Sequence, residues 1–308
     1  SAQHLPVHVL GGGSNVFFAD TGYDGLVLHI QLGGIEFAGS TATAAAGEDW
    51  DDLVVQTIDR GLAGIECLSG IPGLVGATPI QNVGAYGQEV KETICAVRAL
   101  DRHSLEEISF SNEECQFAYR HSRFKGPDRE RYIVTQVQYQ LRSDGQPQLR
   151  YAELQRGVRA VGPLATGVAA LQQVRAVVLG LRAGKSMLVD PADANSRSAG
   201  SFFVNPIIAA DQFKNLQQHY KDIPSFAVSH GVKIPAAWLV ENAGFAKGHR
   251  HGGVGVSQNH ALALVNCGGT ARELLELAAE IQQRVEERFA IRLEREPVFV
   301  ENRSSDYQ

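Results

Sequence analysis

Residues 70–89 read GIPGLVGATPIQNVGAYGQE, and neither a helical nor a two-residue apolar period runs through them. An irregular run of this length inside a compact domain is either functional or disordered. Disorder is disfavoured, because the run is almost uncharged and carries Ile71, Leu74, Val75, Ile80, Val83 and Tyr86. Gly70, Gly73, Gly76, Gly84 and Gly87 permit positive φ and close approach of backbone to a ligand. Pro72 and Pro79 stiffen the path and withdraw donors. The N–H groups that remain suit a large planar or anionic ligand, in the manner of a backbone nest. The alternative is a glycine-rich Ω-loop packed for its own sake.

Upstream, Val7-His8-Val9-Leu10 leads into Gly11-Gly12-Gly13-Ser14-Asn15 and then Val16-Phe17-Phe18, which reads as strand, tight turn, strand. It is not the dinucleotide fingerprint, whose glycines open a helix. Short strands are expected at 26–30 and 41–46. Residues 49–60 read as a helix with Trp50, Leu53, Val54 and Ile58 on one face and Gly61 just past its end. Downstream, strands are expected near 96–100, 105–110 and 132–141. In the last, Ile133, Thr135, Val137, Tyr139 and Leu141 alternate with Val134, Gln136 and Gln138, which predicts one buried face. A helix over 167–182 presents Leu171, Val174, Val178 and Leu181 as a stripe. Residues 190–197, DPADANSR, read as loop and domain junction. The final helix starts at Thr270 with a capping box to Glu273 and runs to about Phe289. Its stripe is Leu274, Leu277, Ala278, Ile281, Val285 and Phe289. Short mixed strands with few helices predict α+β rather than a doubly wound parallel sheet.

The 308 residues suffice for two or three domains with real cores. A net charge of −6 without a Lys/Arg block argues against nucleic acid as a partner. No apolar run approaches the ~20 residues of a membrane span, and no signal peptide is recognised, so a cytoplasmic protein is expected. Ser1-Ala2-Gln3 reads as a foreign remnant ahead of the first strand. Cys67, Cys95, Cys115 and Cys267 are scattered without metal-ligand spacing, so reduced thiols and no metal are expected.

Five polar clusters fall on turns. In Tyr119-Arg120-His121-Ser122-Arg123-Phe124-Lys125, an arginine suits a bidentate clamp on a carboxylate, or the segment is a solvated basic loop. In Gly200-Ser201-Phe202-Phe203-Val204-Asn205-Pro206, a hydroxyl flanked by phenylalanines is either held dry and aimed at a reacting centre or is a turn serine. No GxSxG elbow accompanies it. Lys185, after Gly184, is placed to neutralise a pyrophosphate or polarise a hydroxyl, or it serves a helix C-terminus. Glu294 and Glu296 lie on one side of a strand-like run, opposite Arg295. One of them could pair with Arg120, or both are solvated. His249 and His251, in a glycine loop, offer two metal ligands without a third, or simply a mobile surface loop.

In order, the chain carries LGGGSN at residues 10–15, the 70–89 run, and Phe117-Ala118-Tyr119-Arg120 with Ser122, Phe124 and Lys125. Then come GSFF at 200–203 with Asn205-Pro206, KIPAAWL at 233–239, and Leu293-Glu294 with Glu296. In this set and order the chain resembles the UDP-N-acetylenolpyruvoylglucosamine reductases, the flavoenzymes of bacterial cell-wall precursor synthesis, over essentially its whole length. The resemblance implies an α+β protein with a two-lobed FAD-binding domain of the vanillyl-alcohol-oxidase (PCMH) type and a C-terminal substrate-binding domain. The expected division is 1–31 as an N-terminally incomplete first FAD lobe, 32–188 as the second lobe and 189–296 as the substrate domain, with a 297–308 tail returning to the first lobe.

It further implies non-covalent FAD, NADPH as co-substrate, and reduction of UDP-N-acetylglucosamine enolpyruvate to UDP-N-acetylmuramate by a monomer. Arg120, Ser201 and Glu296 fall on the family's catalytic positions: Arg120, oriented by Glu296 or sharing the carboxylate with it, meets the charge developing beside the substrate carboxylate, and Ser201 gives the proton. Cofactor contacts fall on Gly11, Gly12, Gly13, Ser14 and Asn15, then on Gly70, Ile71, Pro72, Gly73, Gly76, Ala77, Gln81, Asn82, Gly84, Ala85 and Tyr86. Substrate contacts fall on Tyr119, Lys185 and Asn205, with Lys233 as a further candidate. Tyr151 matches the tyrosine that covers the UDP-sugar in the family's longer subclass. Val204 stands where many relatives carry lysine.

Two rival readings remain. A flavin oxidase of the same fold, acting on alcohols or hydroxy acids, often attaches FAD through His or Cys, and neither glycine segment contains a histidine. A non-catalytic UDP-sugar sensor would be expected to lose Ser201 or Glu296, and both are present.

Overall fold

Trp50, Leu53, Val54 and Ile58 are all buried along helix α1 (Trp50–Asp59) in the computed structural model, which describes residues 5–302. Asp49 caps the helix by accepting from the amides of Asp51 and Asp52, and Gly61 takes the left-handed φ of +69° just beyond the end. The chain falls into two compact units. One comprises the chain up to Gly13 together with Gly25–Gly184; the other comprises Ser14–Asp24 and the chain from Lys185 onward. Ser1–Gln3, and residues 303–308 of the expected tail, lie outside the described residues.

The first unit is built on a five-stranded antiparallel sheet, in the order Ile35–Ala38, Thr41–Ala45, Tyr132–Gln140, Ile94–Asp101, Glu107–Ser111. The alternation expected in the central strand is broken. Val134 faces inward with Val137, Tyr139 and Leu141, while Ile133 and Thr135 do not join them. Thr135 is an extra residue between the pairs Val134–Ala99 and Gln136–Arg98. Such a bulge switches the face of everything on one side of it. Beneath the sheet, Trp50 packs on Tyr139 at 5.8 Å. Their polar tips are satisfied, Trp50 Nε1 donating to Leu68 O at 3.1 Å and the Tyr139 hydroxyl lying 2.7 Å from that of Thr78.

Two further helices complete this unit, α2 (Ala152–Val161) and α3 (Val168–Ala183). Helix α3 buries Leu171, Val174 and Val178 as its spacing predicts, but Leu181 is only partly covered and Arg182 is buried in its place. Helix α2 has only Leu154 and Val158 buried, too thin a stripe to stand out in the sequence.

The second unit carries an antiparallel sheet in the order Ser198–Ser201, Ala263–Asn266, Val254–Val256, Arg250–His251, and a three-stranded sheet, Ile207–Ile208, Gly231–Lys233, Phe226–Val228. Val16–Phe18 pairs in parallel with Val298–Val300. Helices α4 (Ala210–His219), α5 (Ala236–Asn242) and α6 (Ala271–Phe289) surround a core that includes Phe202, Phe203, Leu239, Leu277, Ile281 and Phe289. Residues 190–197 contain a single 3₁₀ turn, Ala194–Ser196. At the head of α6 the Thr270 side chain accepts from Glu273 N at 3.1 Å, and the Glu273 carboxylate accepts from Thr270 N at 2.8 Å. Thr270→Ala removes half of this reciprocal cap, and urea unfolding should show a loss of about 1 kcal/mol.

Candidate active site

Two glycine turns of the first unit meet backbone to backbone. A Cβ at Gly12 would lie 2.8 Å from Gly73 Cα, so no side chain fits there. Gly13 and Gly73 both hold positive φ, +73° and +124°. Among the described residues, the amides of Gly11, Gly12, Gly13, Ile71, Gly73 and Leu74 donate to no protein acceptor. Six open N–H groups on two abutting turns suit an anionic or flat polar ligand, and a pyrophosphate or an isoalloxazine edge fits that donor set.

The cradle is rigid because the 70–89 run is stitched to what lies beneath it. Trp50 N donates to Gly73 O at 3.0 Å, Val75 N to Glu48 O at 2.9 Å and Gly76 N to Ala46 O at 2.9 Å. A Cβ at Gly76 would stand 2.5 Å from that of Ala46. Gly70 is held at both ends of its residue: its N–H donates to Asp51 Oδ1 at 2.6 Å, and its carbonyl accepts from Arg182 Nε at 3.0 Å. Arg175 forks onto both oxygens of Asp51 at 2.6 and 2.7 Å. Burial would raise the Asp51 pKa, but the bonds from Arg175 and Gly70 outweigh it and hold the carboxyl below its usual range. Burial pulls Arg182 down from the usual guanidinium range, against the pull of Tyr86 and Asp51. Asp51, Arg175 and Arg182 were not foreseen, since nothing in a helix's polar positions announces a partner so distant in sequence.

Arg120 lies against the same run. Its Nη2 donates to Gly84 O at 2.8 Å, and its backbone is left-handed, φ +53°. Ser122 is buried and donates to Ile80 O at 2.6 Å. Asn82, buried at φ +48°, donates to Ala118 O at 2.9 Å and to Glu89 Oε2 at 2.8 Å, and accepts from Lys91 N at 3.1 Å. Only an amide offers donors and an acceptor in that pattern. The Tyr119–Arg120 turn is therefore bound to the glycine run instead of being a solvated basic loop. Tyr151 stands at the residue just ahead of α2, making no side-chain cap bond, and its ring meets that of Tyr86 edge-on at 5.7 Å. Burial pushes the Tyr86 hydroxyl up to about 12.

In the second unit, Ser201 ends its strand beside Gly200, whose φ is +74°. Phe203 bridges Arg295, Glu296 N donates to Phe202 O at 2.9 Å, and Val204 N to Glu294 O at 3.0 Å. This short antiparallel ladder brings Ser201 and Glu296 to neighbouring positions, although 95 residues separate them. Asn15 Nδ2 donates to Glu296 O at 3.4 Å. Asn205 caps α5, accepting from Ala236 N at 2.8 Å. Lys185 opens the unit after Gly184, and Lys233 lies over Phe226 at 5.9 Å. Arg250–His251 forms an outer strand, not an irregular loop, and no metal-holding group of three or more His, Cys, Asp or Glu occurs among the described residues.

Residues 1–104 match the profile of an FAD binding domain, and residues 190–300 that of the UDP-N-acetylenolpyruvoylglucosamine reductase C-terminal domain. The chain is 47% identical over 306 residues to the UDP-N-acetylenolpyruvoylglucosamine reductase of Streptomyces coelicolor, covering 96% of this chain and 79% of that one. The chain belongs to the UDP-N-acetylenolpyruvoylglucosamine reductase family. The Cupriavidus pinatubonensis reductase is 45% identical over 303 residues, covering 96% of this chain and 87% of its own. The crystal structure of the Thermus caldophilus reductase superposes with a TM-score of 0.65 at 26% identity, over 97% of this chain and 86% of that one. The α+β class and the FAD-binding portion expected from the motifs are thus those of the reductase family.

Gly12→Ala forces the two turns apart, so the purified variant should carry less yellow flavin per protein than the wild type, with unchanged circular dichroism. Because Asp51 has a depressed pKa in the folded state, the unfolded chain binds its proton first as the pH falls. Stability from this carboxylate is complete above pH ~4 and is lost below it. Asp51→Asn should therefore flatten the acid side of a stability–pH curve measured by denaturant titration.

Proposed function

We propose that this protein reduces UDP-N-acetylglucosamine enolpyruvate to UDP-N-acetylmuramate at the expense of NADPH, with FAD held non-covalently. The carrying observation is the pair of abutting glycine turns with six open amides, in a chain whose relatives bear the reductase name. Bound FAD supplies the redox chemistry, accepting reducing equivalents from NADPH and passing them to the enolpyruvyl double bond. The amides of Gly11, Gly12, Gly13, Ile71 and Gly73 would hold its polar parts, and the rest of the 70–86 run, with Asn82 and Tyr86, would complete the site.

As the double bond is reduced at its CH₂ end, negative charge develops on the neighbouring carbon and its carboxylate. Arg120 meets that charge. Its turn is pinned before substrate arrives, so it does not have to be reorganised during the reaction. Ser201 donates the proton to that carbon, and Glu296 keeps its partners oriented. Tyr119, Lys185 and Asn205 hold the nucleotide sugar, and Tyr151 covers it. A hydroxyl is a weak acid, so the gain from its proton lies within the ~10²–10⁴-fold typical of general-acid assistance. The reading also places the enzyme in the cytoplasm as a monomer.

Stopped-flow absorbance tests the division of labour. Ser201→Ala should keep bleaching of the flavin by NADPH at wild-type speed while losing reoxidation by the enolpyruvyl substrate by at least about a hundredfold. Wild-type reoxidation in that variant removes the proton-donor role. Absence of NADPH bleaching in the wild type removes the reductase reading.

A further inference from the structure

Tyr86 and Tyr151 belong to segments far apart in sequence, and one buried carboxylate bonds to a residue close to each, Gln88 and Gln148. Glu66 is fully buried. Its Oε2 accepts from Gly64 N at 2.6 Å; its Oε1 accepts from Gln88 Nε2 at 2.7 Å and from Gln148 N at 3.3 Å. Gln88 is itself fixed at its other end, where Oε1 accepts from Cys67 N at 2.8 Å. Gly84–Ala85 and Gln88–Glu89 form a hairpin whose two-residue turn is Tyr86-Gly87, with φ of +48° and +85°. Positive φ at both positions is the geometry of a type I′ turn, and a bulky residue at the first of them is unfavourable unless its surroundings impose it. The surroundings here are the Gln88–Glu66 bond on one side and the backbone leading to Tyr151 on the other. A Cβ at Gly87 would lie 3.0 Å from that of Arg150 and 3.4 Å from Tyr151 N.

We propose that Glu66 is a positioning residue that sets the placement of Tyr86 against Tyr151, and through it the grip on the nucleotide sugar. The inference rests on the reading of Tyr151 as the residue that covers the UDP-sugar. Three N–H groups converge on the Glu66 carboxylate, which is acceptor-only. In Glu66→Gln one of those donors confronts an amide NH₂, or Gln88 turns over and its NH₂ confronts Cys67 N–H. Each arrangement leaves the buried cluster that anchors the hairpin with one opposed pair of donors, while the amides of the glycine turns are untouched. The exchange Glu66→Gln with Gln88→Glu keeps the charge and restores most of the pattern. The amide then at position 66 donates to the carboxylate at position 88 and accepts from Gly64 N, and that carboxylate accepts from Cys67 N. Only the 3.3 Å contact from Gln148 is unmatched.

The experiment is calorimetric titration of the FAD-loaded protein with UDP-N-acetylmuramate, beside stopped-flow reduction by NADPH. Glu66→Gln is expected to weaken the nucleotide sugar about tenfold, the scale of one buried donor left unsatisfied. KM should rise in step, with NADPH bleaching unchanged. The double exchange should recover affinity to within about threefold of wild type. If Glu66→Gln does not fold, Gln88→Leu breaks the same anchor from the hairpin side and is expected to show the same selective loss. Unchanged affinity in the folded variant, a loss shared equally by NADPH reduction, or no recovery in the double exchange each overturns the inference. A wild type that binds the nucleotide sugar and is bleached by NADPH, beside a Glu66→Gln variant of equal affinity, overturns this inference alone. A wild type that does neither overturns the functional reading and takes this one with it.

Discussion

Gly12 and Gly73 approach until nothing larger than a hydrogen fits between them, and the surrounding backbone is shaped by that contact. Among the described residues the two turns share no backbone hydrogen bond, and six of their amides reach no protein acceptor. The protein meets that condition with a ligand in view instead of filling it with side chains. Positive φ at Gly13, Gly70 and Gly73 follows from the same requirement. So does the lack of any regular element over 70–83 beyond the 3₁₀ turn Val75–Ala77.

A backbone so short of internal hydrogen bonds has to be steadied from outside, and the steadying groups are polar or charged and partly or fully buried. Asp51 with Arg175, Arg182, and Glu66 with Gln88 each grip the chain close to one end of the run. Desolvating these groups is costly, and the cost is offset only where each has several well-aligned partners. Asp51 has the two guanidinium nitrogens and Gly70 N; Glu66 has Gly64 N, Gln88 and Gln148 N. Their value lies in fixing one geometry more than in adding stability.

Much of this was legible in the residues. The periodic faces of α1, α3 and α6, the Thr270–Glu273 box and the glycine turns follow from local rules, and those rules act within a few residues. What escaped was non-local. The bulge at Thr135 is invisible in a strand that alternates well on paper, because it answers to the partner strand's register. Helices α4 and α5 are short, and α5 owes its start to Asn205 Oδ1, 31 positions earlier. Within the candidate site, Arg120 and Ser201 stood out through the company they keep in sequence. Arg182 and Glu66 did not, because a buried charge looks like any other until its partners are known.

The parallel pairing of Val16–Phe18 with Val298–Val300, and the bond from Ala271 N to Asp20 Oδ1 across 251 positions, bear on how the chain reaches its native state. During synthesis the segment Ser14–Asp24 emerges long before its strand mate Val298–Val300. Until then it has no neighbour to pair with, and Phe17 lacks Phe299, 5.1 Å away in the finished molecule. Loop closure over such a span is slow and leaves an unpaired strand edge open to wrong partners. Maturation of this unit therefore waits on a segment made long after its first strand, whereas the five-stranded sheet draws all its strands from residues 35–140 and can form ahead of it.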